Sequence, residues 1–310
     1  MKKNISIVIP VFNEESNLPV LISLLINKID NLPNYNFEII FIDNASTDTT
    51  PNFLRSLASK DTRFKVILNL RNFGAVRSPC WALLQANGDA VVLLHADMQV
   101  PIDLLPIFID HWEKGWKVVF ATKVKSRINY FSAILRKSYY RFLNLISEVP
   151  LVNDATGVGL YDAEVLSYVR TSGGPLPYLR GLISEFGFPI KTVDYIEVKR
   201  FSGTSKVNFF STIGEGILGV ISHSFIPIRF VSLIGIAISL FSFIVSFIYL
   251  VLKIIYWDSF SIGIAPLIVG TLFLFGFLFI CIGIIGEYIA SIHRHVRRLP
   301  MVIEKERINF

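Results

Sequence analysis

The run Ala90-Val91-Val92-Leu93-Leu94-His95-Ala96-Asp97 decides how this chain is read. Ala90 to Leu94 is a short, continuous apolar stretch, the pattern of a strand buried on both faces in a parallel sheet. A histidine and a carboxylate follow at once. They stand where open α/β sheets carry their ligands, at the carboxyl end of a strand, and a carboxylate there suits metal or phosphate chemistry.

Toward the N terminus the same rhythm repeats. Ile5 to Pro10 is predicted as a strand, and Ser16 to Ile29, with Leu18, Leu21, Ile22 and Leu25 at helical spacing, as an amphipathic helix capped by Ser16 or Asn17. Strands follow at Phe37 to Ile42 and Phe64 to Leu68, and helices at Thr47 to Ala58 and Ala75 to Ala86. Alternation of this kind builds an α/β fold with a mostly parallel central sheet. Glu14, Asp43 and Asp97 all fall at the carboxyl ends of its strands. The first turn, Pro10-Val11-Phe12-Asn13-Glu14-Glu15, has none of the glycines that a dinucleotide fold uses to bring pyrophosphate to a helix N-terminus. Two glutamates would repel a phosphate; they suit the hydrogen-bond donors of a base or ribose.

Toward the C terminus the composition changes. Hydrophobic residues make up 52% of the 310, above the usual soluble balance, and the excess is concentrated. Phe230 to Leu252 and Ser259 to Gly286 contain no charged residue, and each is long enough to cross a bilayer as a helix. Arg229 precedes the first of these, and His293, Arg294, His295, Arg297 and Arg298 follow the second, so both flanks are expected on the cytoplasmic side, with a short external loop around Tyr256 to Ser261. Between Val207 and Phe225, Phe210, Ile213, Ile217, Val220 and Ile221 recur at helical spacing around Ser211, Thr212 and Glu215, as in a helix lying at the headgroup boundary. Glycines at 235, 263, 270, 276, 283 and 286 permit close helix contact within a hairpin or between protomers, so a homo-oligomer is compatible with the sequence. The spans hold no charge pair of the kind transport requires. The expected organisation is a cytosolic catalytic domain at 1–206, an interfacial helix at 207–227, a transmembrane hairpin at 228–290 and a basic cytosolic tail at 291–310. The expected location is therefore the cytoplasmic membrane, with both termini in the cytosol.

Other properties agree with this reading. The apolar run at Ile5 stops at Pro10, too soon for a signal peptide. Cys80 and Cys281 are the only cysteines, so no disulfide framework is available. A net charge of +6 suits work against anionic headgroups and phosphorylated substrates; nucleic acid would attract it too, but no binding motif accompanies it.

Several stretches resemble a known family in order and spacing: Ile9 to Glu15; Ile42-Asp43-Asn44-Ala45-Ser46-Thr47-Asp48; Asn69-Leu70-Arg71-Asn72-Phe73-Gly74; His95-Ala96-Asp97-Met98-Gln99; Asn153-Asp154-Ala155-Thr156-Gly157; Tyr178-Leu179-Arg180-Gly181-Leu182; and Lys199 to Lys206. With the paired apolar segments they resemble the family 2 glycosyltransferases, and within these the polyprenyl-phosphate sugar transferases. The resemblance implies a GT-A type fold, a nucleotide-sugar donor with UDP-glucose as the expected one, a polyprenyl phosphate acceptor, and inversion at the anomeric carbon. It places Pro10, Phe12, Glu14 and Asp43 around the nucleoside, with Arg71 and Gly74 closing on it, and Arg200 and Lys206 on the donor phosphates. It assigns Asp97 to a divalent metal, Mg²⁺ or Mn²⁺ given oxygen ligands, and matches Asp154 to the catalytic aspartate. For the acceptor phosphate, the basic stretch holding Arg127, Arg136, Lys137 and Ser138 is the candidate.

The sequence departs from the family pattern at two places. His95 stands where the Asp-x-Asp motif has its first carboxylate, and Asn44 where the Asp-Asp-Gly-Ser turn has its second. His95 is either a metal ligand, better suited to Mn²⁺ than to Mg²⁺, or a hydrogen-bonding neighbour of the nucleotide. Alternative functions at this point are a processive polysaccharide synthase, transfer to another lipid such as diacylglycerol, and an inactive membrane-anchored binding protein. The first would need more spans and a Gln-x-x-Arg-Trp motif, where this chain has Tyr178-Leu179-Arg180-Gly181.

Overall fold

The computed structural model describes residues 2–125, 155–172, 179–198, 226–255, 264–296 and 299–310. Four parallel strands form its centre: β1 (Lys3–Val11), β2 (Tyr35–Asp43), β3 (Phe64–Asn69) and β4 (Ala90–Leu93), in the order β3-β2-β1-β4. The chain moves outward from β1 through β2 to β3 and then returns to the other side of β1. That reversal is a topological switch point, and open α/β sheets generally carry their ligands at the carboxyl ends of the strands on either side of it, here β1 and β4.

Helices cover both faces, which explains why the central strands read as unbroken apolar runs. On one face, Ile5, Ile7 and Ile9 of β1 pack with Leu21 and Leu25 of α1 (Leu18–Asp30), Leu54 of α2 (Thr50–Lys60), and Leu105 and Phe108 of α4 (Leu104–Glu113). On the other, Val8, Ile40 and Ile67 meet Ala82 and Leu83 of α3 (Gly74–Gln85), Val165 and Leu166 of α5 (Ala163–Ser172), and Ile183 of α6 (Leu179–Glu185). Asn17 occupies the N-cap of α1, as expected, but its side chain makes no cap hydrogen bond and donates to the Glu14 carboxylate instead, at 2.5 Å. Pro19, in the first turn of α1, suits a helix start because its missing N–H would lack a partner there in any case.

Beyond β4 the sheet becomes mixed. β6 (Ala155–Asp162) pairs antiparallel with β4 and with β5 (Val118–Lys125), and β7 (Ile190–Ile196) pairs parallel with β5, giving the order β7-β5-β6-β4-β1-β2-β3-β8. Gly159 makes the β5–β6 contact possible, because a Cβ there would collide with the Val119 carbonyl oxygen. Two long helices follow β7, α7 (Ile226–Ile255, 30 residues) and α8 (Ile264–Val296, 33 residues), in contact with one another. Many of their side chains lie outside the described set, and among the described residues no helix is long and apolar enough to cross a membrane. Those that are described include broadly exposed Leu233, Phe241, Phe247, Leu267 and Phe279, each about two-thirds accessible.

The last residues, read from sequence as part of a basic tail, add a strand. β8 (Glu304–Ile308) runs antiparallel to β3 and closes that edge of the sheet. Its residues are nearly all charged, a composition that protects an edge from pairing with other chains. Arg55 of α2 grips Glu306 with two nitrogens, at 3.0 and 2.8 Å, the Trp81 indole donates to Glu304, and the Asn309 side chain donates to the carbonyls of Ala58 and Phe64.

Candidate active site

The exits of β1, β2, β3 and β4 lie along one edge of the sheet and are stitched together. Asn13, at φ 54, donates its backbone N–H to Ser46 Oγ (2.8 Å), and its side-chain oxygen accepts the Thr47 N–H (2.7 Å). The Glu14 N–H donates to Thr50 Oγ1 at 3.0 Å, and Glu15 accepts from the backbone and hydroxyl of Thr49. These bonds hold the turn carrying Pro10, Phe12 and Glu14 against the turn that follows Asp43.

Asp43 is 1% exposed and is held inside its own turn, Asp43-Asn44-Ala45-Ser46, where its carboxylate accepts from the Ser46 N–H (3.0 Å) and hydroxyl. Burial raises its pKa above the ordinary 3.8, the Ser46 hydrogen bonds working in the opposite sense. The native state therefore binds this proton more tightly than the unfolded chain does. The protonated carboxyl favours the folded state below the ordinary value, and that advantage is lost as pH rises through the raised one. The ionised form, the better acceptor, is in turn lost in acid sooner than for an ordinary aspartate. If Asp43 accepts a ribose hydroxyl, affinity for a nucleotide such as UDP should weaken as pH falls, beginning above the ordinary carboxylate range. The Asp43→Asn variant should lack that limb; calorimetric titration of UDP across pH, read against the variant, checks this.

Ala45 sits at φ 62 in the same turn, a conformation that a Cβ disfavours by roughly 1–2 kcal/mol. Glycine would relieve this strain, though its greater unfolded-state freedom costs about 0.5–1 kcal/mol. Ala45→Gly is thus expected to stabilise the protein by about 0.5–1 kcal/mol, read as a small rise in Tm.

After β3, Arg71 is exposed, with its guanidinium 4.2 Å over the Phe73 ring and donating to the Asn72 carbonyl (3.1 Å). Gly74 opens α3 at φ 89, the left-handed region that glycine enters freely. Beyond β4, His95 is half-buried and Asp97 is 8% exposed. Asp97 accepts the Gln99 N–H at 3.2 Å, and Met98 between them is held at φ 54. The Gln99 carbonyl accepts from the Val198 N–H at 3.1 Å, tying this loop to the chain beyond β7.

The structure thus brings Pro10, Phe12, Glu14, Asp43, Arg71, Gly74, His95 and Asp97 to one edge. Asp154, Arg200, Lys206, Arg127, Arg136, Lys137 and Ser138 lie outside the described residues. Sequence reading noted Asn44 only as a departure from the family turn and missed the organising role that its side chain shares with those of Asn69 and Asn72. The signal was available in two asparagines, one ending β3 and one in the turn after it, since such side chains favour turns.

Among the described residues no cluster of three His, Cys, Asp or Glu side chains is placed to hold a metal ion. Asp97 with His95 nearby still fits a hard divalent cation that draws most of its oxygens from a diphosphate and water, because such ions commonly use only one or two protein carboxylates.

A mixed, mostly parallel sheet with carboxylates at the exits of β1, β2 and β4, and without a glycine-rich phosphate loop after β1, is a GT-A-like α/β architecture. Residues 6–164 match the family described as Glycosyl transferase family 2; the chain belongs to that family and is a glycosyltransferase. It is 32% identical over 302 residues to the putative glycosyltransferase CsbB of Bacillus subtilis, covering 97% of this chain and 91% of the relative. It is 30% identical over 305 residues to the SfII prophage-derived bactoprenol glucosyl transferase of Shigella flexneri, covering 97% of each chain. Among solved structures, the mannosyltransferase PcManGT from Pyrobaculum calidifontis, in complex with GDP-Man and Mn²⁺, aligns at TM-score 0.45 and 20% identity over 71% of this chain and 63% of its own.

Proposed function

We propose that this protein moves one sugar from a nucleotide-sugar donor, with UDP-glucose the expected one, to polyprenyl phosphate, with inversion, while anchored in the cytoplasmic membrane. The observation that carries this reading is the extent of the similarity to the Shigella flexneri bactoprenol glucosyl transferase: it runs through 97% of both chains and so includes the two long helices.

The chain's path supports the anchor. β7 before the helices and β8 after them belong to one sheet, so the chain that leaves it for α7 returns to it after α8. At roughly 1.5 Å per residue, helices of this length exceed the roughly 30 Å of a bilayer's hydrocarbon core. The uncharged sequence within them and their exposed apolar side chains suit lipid. An out-and-back crossing would leave the catalytic sheet and both termini on one side, and the basic residues flanking the helices, Arg229 and His293 to Arg298, suit the cytosolic one.

In this reading Pro10, Phe12, Glu14 and Asp43 hold the nucleoside, and Arg71 and Gly74 close over it. Asp97 holds Mg²⁺ or Mn²⁺, with His95 beside it; the bound ion would offset charge on the leaving diphosphate, a task shared by Arg200 and Lys206. Arg127, Arg136, Lys137 and Ser138 are assigned to the acceptor phosphate. A phosphate monoester with its second pKa at about 6 arrives largely dianionic, so no strong base is needed to create the nucleophile. The remaining problem is bringing two anions together, which calls for cations on both. Asp154 is then assigned to orienting the acceptor or stabilising positive charge at the anomeric carbon.

The test is transfer. Purified full chain is incubated with radiolabelled nucleotide sugars and undecaprenyl phosphate, with and without Mn²⁺. Solvent-extractable label that requires the polyprenyl phosphate is the expected result. Absence of lipid-linked label with every donor, or equal labelling of diacylglycerol, would overturn the proposal.

A further inference from the structure

The side chain of Asn44, 7% exposed, uses all four of its hydrogen-bonding positions. Its Nδ2 donates to Asn72 Oδ1 (2.9 Å) and to the Gly74 carbonyl (3.3 Å). Its Oδ1 accepts from the Phe73 N–H (2.8 Å) and from Asn69 Nδ2 (3.2 Å). Asn72 Oδ1 also accepts the Gly74 N–H at 2.8 Å, so the turn from Asn72 to Gly74 is closed on itself as well as onto Asn44. Asn44 in turn is anchored through its own N–H to the Val11 carbonyl at the exit of β1 (2.9 Å). Asn69, 3% exposed, spends both its N–H groups on Asn44 and on Ser78 Oγ (3.0 Å), leaving its Oδ1 without a partner among the described residues. An unmatched buried acceptor is unfavourable. This orientation is the one that gives Asn44 Oδ1 its second donor.

No other side chain of this size can fill the role. An aspartate at 44 could still accept from Phe73 and Asn69, but it has no N–H for Asn72 or Gly74 and would set a carboxylate against two oxygens. Asn72 could turn its own amide to meet that carboxylate only by pointing N–H groups at the Gly74 N–H.

We propose that Asn44 is a positioning residue for donor binding, fixing through both ends of its amide the Arg71–Gly74 loop over the nucleoside side of the site. The inference rests on the function proposed above, and it gives the departure from the family's second turn carboxylate a physical reason. Asn44 does not touch the donor in this account; it decides where Arg71 and the Phe73 and Gly74 amides stand when the donor arrives.

The experiment compares wild type, Asn44→Asp, Asn72→Ala and Ser78→Ala in the full chain. Without nucleotide, hydrogen exchange at the Phe73 and Gly74 amides should quicken by about tenfold or more in Asn44→Asp and Asn72→Ala. With Mn²⁺ present, their UDP affinity should fall by about tenfold and the UDP-glucose KM rise by a similar factor, with kcat within about threefold of wild type. Ser78→Ala removes a bond on the helix side of the network, and should lower Tm while leaving KM and loop exchange unchanged. Asn72→Ala, at an exposed position, keeps the question open to measurement if Asn44→Asp fails to fold. Wild-type exchange and KM in both loop variants would overturn this inference alone. Wild type that binds no nucleotide would instead overturn the functional proposal.

Discussion

Asp97→Asn should lower sugar transfer by about a thousandfold while leaving the fold intact. The substitution keeps the shape and can keep the acceptor for the Gln99 N–H, which the carboxylate now receives at 3.2 Å, so the Met98 turn need not move. What it removes is the negative charge at the exit of β4. A cation held there loses the one carboxylate that the motif supplies, because the partner position in the motif is His95 and not a second carboxylate. In proteins with two acidic residues at this motif, loss of one leaves the other; here nothing acidic remains beside it in the motif. Raising Mn²⁺ should restore part of the activity, and Mg²⁺ less, if the imidazole helps to bind the ion. Transfer assays over a metal titration, with Tm as the control on folding, read the outcome. Retention of more than about a tenth of wild-type transfer would remove Asp97 from the reaction.

Ending the chain after Val302 should lower stability by about 3–5 kcal/mol, enough to lower Tm by about 10 °C in a domain of this size. The truncation removes the β3–β8 ladder, the Arg55–Glu306 pair, the Trp81–Glu304 hydrogen bond and the two carbonyl contacts of Asn309. It also uncovers the unpaired N–H and C=O groups of β3, a template for association with other chains. The Leu70 N–H loses the Ile303 carbonyl, so the disturbance reaches the residue beside Arg71. Arg55 holds the Glu306 carboxyl below its ordinary value. That contribution is present above the unfolded pKa and fades as pH falls, so full-length and truncated proteins should draw closer in Tm in acid. Equal Tm and equal solubility near neutral pH would show that β8 contributes nothing.

The central sheet was readable because its strands are buried on both faces. Nothing but apolar residues fits Ile7 to Ile9 or Ala90 to Leu93, and burial writes them as runs. The acidic residues at their exits were readable for the opposite reason, being polar where the run stops. Boundaries were less so: α2 begins at Thr50 and not at Thr47, because Thr47 and Thr49 are used to stitch the β1 and β2 turns. β6 is one strand, but Gly157 and Gly159 interrupt its sequence pattern, although Gly159 is what lets the backbone approach β5. β8 is almost wholly charged, Glu304-Lys305-Glu306-Arg307, and reads as a solvated tail until its partners Arg55 and Trp81 are known. The amide network around Asn44 depends on pairings between residues far apart in sequence, which no local spacing reveals.

Arg55 and Glu306 are 251 positions apart, and both long helices are made between them. A ribosome thus completes the catalytic core with one border still bare. If the helices form the proposed anchor, the piece that finishes this border emerges only after the hairpin has been delivered to the membrane. A chain in which only one of the two helices crossed could not bring that piece home. Faulty copies would then carry an open seam for disposal machinery to recognise, and maturation of the enzyme would be conditional on arrival at the right address.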